Sequence, residues 1–123
     1  MELLVQIGFA LLTVIHGLPA IGAVVSSKIS GTYGVSTDDA VAMTLLQHRA
    51  VLFGILAAGS CAAVFRPELR IAVLIGAMVS MTAFLAIAIA RGETRGTLRT
   101  IVIVDVIGIV VGLVTGGMLF AGI

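Results

Sequence analysis

Apolar residues fill this chain in four long runs, and the polar residues interrupting them fall at informative positions. The runs cover 3–25, 41–64, 71–90 and 98–121, and ~20 residues suffice to cross ~30 Å of hydrocarbon as a helix. Strands are excluded because the runs are too long and do not alternate with period two. The pattern predicts an all-α integral membrane four-helix bundle, one domain over residues 1–123, with no room for a separate soluble module. Glu2 stands where a signal peptide would carry a basic residue, and the first run continues to Val25, so it reads as a retained membrane helix.

The connections are short, which makes consecutive helices antiparallel neighbours. The first, residues 26–40, is polar and ends in Ser36-Thr37-Asp38-Asp39, a helix-start signal with acids near the positive end of the helix dipole. The second turns at Arg66-Pro67-Glu68, and the third is the basic segment 91–96. Gly17 and Pro19 are expected to bend the first span, because proline removes a backbone donor. The membrane face with the N-terminus and the second connection carries Arg66 and Arg70; the opposite face carries Lys28, Arg91, Arg95 and Arg99. The positive-inside rule assigns that second face to the cytoplasm.

Helical spacing sorts the polar residues onto faces. Glu2, Gln6, Phe9, Thr13, His16 and Ala20 follow alternating steps of four and three, so they share one stripe of the first span. In the fourth span Asp105, Gly108, Gly112 and Gly116 align in the same way. Small residues at such intervals let helices approach closely in lipid. Asp105 therefore lies on the helix-packing side. An acid at a helix centre costs ~2.5–3.5 kcal/mol on insertion scales, so an intramembrane Asp is a functional candidate by default.

Depth brings candidates from three helices together. At ~1.5 Å per residue, His16 lies ~14 Å, Arg49 ~12 Å and Asp105 ~9 Å from the face that bears Lys28 and Arg91. The second span offers Gln47, Ala50, Gly54, Ala57 and Cys61 as a small-residue face, with His48 turned ~100° away and Arg49 about twice that. Two arrangements follow. Either Gln47 and His48 line a pocket while Arg49 snorkels, or the helix is rotated and Arg49 pairs with Asp105, a chemically sensible buried pair.

Composition narrows the function. The chain is 60% hydrophobic and 11% charged, with a net charge of +1 and a mean hydropathy of +1.28, which belongs to a membrane protein and gives no nucleic-acid footprint. Cys61 is the only cysteine, excluding an internal disulfide, a CxxC pair and a thiolate zinc site; it reads as a small packing residue. No metal and no cofactor are expected. The partners expected are the bilayer, a small lipophilic substrate and a second copy of the chain in a homodimer.

Two histidines, an acid and an arginine permit general acid/base chemistry. The protonation state of Asp105 depends on whether desolvation or a neighbouring guanidinium prevails. A ligand entering from lipid would be apolar with one polar end, and isomerisation, cyclisation or epoxide opening fits that description. Asp105, His16 and Arg49 are the catalytic candidates, with Arg49 orienting the carboxylate or stabilising negative charge. Gln6, Thr13, Gln47, His48 and Arg99 are the substrate-binding candidates. Alternatives from other classes are a proton-coupled transporter or channel using the polar stripe, and an accessory subunit of a quinone-linked membrane complex. The mid-helix acid of small multidrug transporters and the characteristic motifs of fluoride channels are missing.

The four-span plan, Tyr33-Gly34 in the first connection and Gln47-His48-Arg49-Ala50 in the second span together resemble the small DoxX-like bacterial membrane proteins. The resemblance implies a four-helix fold in a bacterial inner membrane, in a group that includes proteins linked to quinone redox chemistry. No redox centre is visible in this sequence, and no catalytic residue is carried over.

Overall fold

The computed structural model describes residues 1–122. Among them the chain forms five α-helices: α1 (Glu2–Ala20), α2 (Ser26–Tyr33), α3 (Ala40–Phe65), α4 (Arg70–Ala90) and α5 (Arg99–Ala121). Short 3₁₀ turns cover Ile21–Ala23 and Pro67–Leu69. The fold is an all-α bundle, and α1, α3, α4 and α5, with the adjoining turns, are long and apolar enough to cross a membrane. These four form a closed ring in which α1 touches α3 and α5, and α4 completes the circle between them. Large apolar side chains such as Leu11, Ile55, Ile75, Val79, Val110 and Leu113 point outward. Such a belt suits acyl chains rather than water.

The ends of the helices follow local chemistry. Asp39 caps α3 by accepting a hydrogen bond from the Ala42 N–H at 3.1 Å, satisfying a donor that the first turn leaves free. α1 stops at Ala20, earlier than the apolar run suggests, and continues as the 3₁₀ turn. Pro19 lacks the N–H that would hold the last turn, which accounts for the early change. The polar first connection is not all loop: residues 26–33 coil into α2, ended by Gly34 at φ +65° with its N–H on the Ser30 carbonyl. Only glycine adopts that left-handed conformation without strain.

Close approach holds the ring together. Asp105, Gly108, Gly112 and Gly116 are all buried on one face of α5, as their spacing predicts. A β-carbon at Gly108 would collide with the Met81 sulfur, and one at Gly112 with that of Met78, so α4 seats its methionines in the glycine row. Across the bundle, Thr115 of α5 fills the space over Gly8 of α1. Val5, Phe9, Leu12, Leu74, Ala77 and Met81 form the core between these contacts.

The inward face of α3 differs from the small-residue face expected. Met43, Ala50, Phe53, Ser60 and Ala63 are buried, and Cys61 is exposed rather than packed. The cause is that α3 serves two neighbours. Ala50, Gly54 and Ala57 approach Gly22, Ala20 and Gly17 on the α1 side, while Leu56 and Gly59 meet Gly76 and Val73 of α4. The direction between those two seams belongs to Phe53 and Ser60.

Arg70, counted in the sequence as an interfacial charge, is buried at 4% exposure. Its Nε donates to the Ala63 carbonyl at 2.9 Å and Nη2 to the Val64 carbonyl at 3.1 Å. These lie in the last turn of α3, where carbonyls lack intrahelical partners. The outer guanidinium edge grips both Glu2 oxygens, at 3.0 and 2.7 Å, a bidentate geometry that only arginine supplies. One side chain thus ties the end of α3 to the start of α1.

Two stability outcomes follow. Gly8→Ala is expected to cost ~1–3 kcal/mol through overpacking, and Thr115→Ala in the same chain to recover most of it. Gly117→Ala, where a β-carbon meets nothing within 4 Å, should be neutral; reversible unfolding in detergent gives all three. In thermal melts, Arg70→Met should lower the midpoint more than Glu2→Gln, since the latter leaves the guanidinium its two carbonyls. Equal losses would assign the contact to the ion pair alone.

Candidate functional site

α2 lies against the turn after α1 and against α3, and beneath it the bundle is incompletely filled. A cavity of about 440 Å³ opens between α1, α2, α3 and α5. Apolar side chains make most of its wall, among them Val14, Leu18, Ile29, Phe53, Val104 and Ile107. His16 and Asp105 also line it, together with Lys28, Thr32 and Tyr33 of α2 and Thr100 at the start of α5. A mostly apolar hollow with a few convergent polar groups is the usual form of a small-molecule site.

His16 is essentially inaccessible at 1% exposure. Its Nδ1 lies 2.9 Å from the Leu12 carbonyl, one turn back on its own helix. Pro19 leaves the Ile15 carbonyl without its usual partner, but the histidine does not use it. A carbonyl only accepts, so the neutral ring carries its proton on Nδ1. Nε2 is then a lone pair, buried and without a protein partner. The ring leans on Phe53, with centroids 6.0 Å apart and planes tilted by 45°.

Asp105 is 6% exposed on the glycine-row face of α5. Arg49 does not form the expected ion pair with it: among the described residues the ion pairs are Arg66–Glu68 and Arg70–Glu2. The Arg49 guanidinium instead sits between two rings, 4.8 Å from the Phe53 centroid and 4.7 Å from that of Phe84. A weakly hydrated planar cation is well suited to that slot. Arg49 therefore borders the cavity only through Phe53.

The remaining sequence candidates lie away from the cavity wall. Gln6, Thr13 and Gln47 are half-buried, and His48 and Arg99 are exposed. The Thr13 hydroxyl donates to the Phe9 carbonyl at 2.8 Å, a local helix contact. Of the eight candidates, the cavity unites His16 and Asp105. The sequence offered no site role for Thr32 and Thr100, and it read Lys28 only as a charge of the membrane face and Tyr33 only as an interfacial aromatic and part of the resemblance. Their signal was nevertheless present: Lys28, Ile29, Thr32 and Tyr33 have the i, i+1, i+4, i+5 spacing of a helix face.

No family model matches the chain, and no curated protein or solved structure is significantly similar to it.

The stacking of Arg49 carries a measurable coupling. In a double-mutant cycle of Arg49→Met and Phe84→Leu, the interaction energy is expected at ~0.5–2 kcal/mol, the range for cation–π contacts from exposed to desolvated. Additive losses would show that the two side chains contribute only by filling space.

Proposed function

We propose that this protein binds a small lipophilic molecule in the cavity under α2 and performs acid/base chemistry on it. The observation that carries the reading is the pairing of an unpartnered imidazole Nε2 with a buried carboxyl group on one largely apolar wall. Structural polar residues in a membrane bundle are satisfied by their neighbours, as Arg70 is. His16 Nε2 has no protein partner, which is also true of Arg49 Nε and Ser60 Oγ, but His16 lines the cavity together with Asp105, and unsatisfied buried groups call for a functional account.

In this reading Nε2 of His16 takes up a proton and Asp105 is the second carrier, the two groups lying on different helices across the same hollow. Arg49, behind Phe53, contributes positive potential that steadies negative charge developing near Asp105. Isomerisation, cyclisation and epoxide opening all need only such proton movements. A bacterial inner membrane is the proposed location, supported by the four apolar spans and the DoxX-like resemblance. Exposed Lys28, Arg91, Arg95 and Arg99 favour a cytoplasmic setting for the face nearest the cavity.

The test is mass spectrometry of the organic extract from gently purified protein, wild type beside Asp105→Asn and His16→Leu. A defined lipophile is expected in wild type and at least ~tenfold depleted in each variant, the equivalent of one lost hydrogen bond of ~1.4 kcal/mol. Helicity and melting in detergent must remain near wild type. Variants that lose both fold and lipophile would recast His16 and Asp105 as interhelical staples. Bulk lipid alone in all three would remove the case for a tightly held ligand.

A further inference from the structure

The polar groups of the cavity differ in what they ask of a ligand. His16 spends its N–H on the Leu12 carbonyl, so Nε2 accepts and does not donate. Asp105 is buried, and among the described residues no ion pair and no protein hydrogen bond reaches its carboxyl group. Both groups therefore lack a donor. A buried acceptor left without one is unfavourable, and a ligand that brings a donor relieves it.

Charge removes the other donor-bearing heads. A protonated amine would meet the Asp105 carboxyl, but Lys28 lines the same cavity and the Arg49 guanidinium lies behind Phe53 of its wall. The cations near the site outnumber its single acid. A carboxylate head would be drawn to Lys28, but it supplies only acceptors and leaves Asp105 without a donor. Ether and ketone heads likewise supply only acceptors. Apart from Lys28, Thr32, Tyr33 and Thr100, the rest of the wall, from Val14 and Leu18 to Val104 and Ile107, suits a hydrocarbon body.

We infer that the occupant is an uncharged amphiphile whose head is a hydroxyl group, an alcohol or a phenol, donating its hydrogen to Asp105. The inference rests on the ligand cavity proposed above and names the chemical class it takes. The hydroxyl lies at the inner end between α1 and α5, and the apolar body runs along the α1 and α5 walls beneath α2.

Tyr33 provides the readout, because the chain has one tyrosine and no tryptophan and Tyr33 lines the cavity. Full-length protein in phosphatidylcholine vesicles is titrated with a bromine-tipped undecanol, with the matching methyl ether and with the matching carboxylic acid. Bromine dissolved in the bilayer quenches tyrosine fluorescence in proportion to its concentration, whereas a cavity-bound probe quenches saturably. The alcohol is expected to saturate at concentrations ~tenfold below the ether and the acid, the effect of one hydrogen bond. In Asp105→Leu that advantage should shrink several-fold while the ether is unaffected, a change that a merely structural role does not produce. Saturation by alcohol and ether alike, or tightest by the acid, overturns the hydroxyl head and leaves the cavity reading standing. Strictly proportional quenching by all three removes both.

Discussion

Lipid gives apolar side chains no reason to leave it. A bundle in hydrocarbon must therefore be held by close contact and by polar groups that have nowhere else to go. The glycine row of α5 is where this constraint is met most fully. Gly108 and Gly112 receive Met81 and Met78, and Gly116 brings α5 against Leu74. The flexible thioethers fill the grooves that missing β-carbons leave. Asp105 shares this buried face of α5 and is carried inward with the glycines.

The polar residues fall into three kinds of environment. Arg70 at one end is fully occupied, split between two terminal carbonyls of α3 and the Glu2 carboxylate. Arg49 is housed by aromatic faces instead of an acid. His16 keeps an unpartnered Nε2, and Asp105 is buried with no ion pair among the described residues. The contrast matters more than the burial of any one of them. A chain that satisfies Arg70 so completely is able to satisfy a buried ionisable group.

The cavity itself is a consequence of how α1 ends. Pro19 interrupts the backbone ladder, the chain tightens into a 3₁₀ turn, and it leaves the bundle axis at Val25, where the backbone is extended. α2 then crosses the end of the bundle, anchored by Ile29 over Gly22. Because α2 covers the opening without filling it, the space between α1 and α5 stays hollow just above His16 and Asp105. The same short helix supplies Lys28, Thr32 and Tyr33, so the lid and part of the lining are one element.

The amino-acid sequence by itself determined the four spans, the capping of α3 by Asp39 and the inward face of α5. Each of these depends on local order alone: run length against hydrocarbon thickness, an acid before a helix, a repeat of small residues around one acid. Only the tertiary structure decided the rotation of α3, the burial of Arg70 and the cavity. α3 is apolar nearly all round, so its periodicity does not say whether Arg49 or His48, Ser60 or Cys61, faces inward. Two neighbouring helices settle that by where their own small residues leave room. Arg70 became a buried staple because α1 begins beside the end of α3, and the hollow exists because α2 folds over it. Such relations join residues far apart in the chain, and no local pattern encodes the space between them.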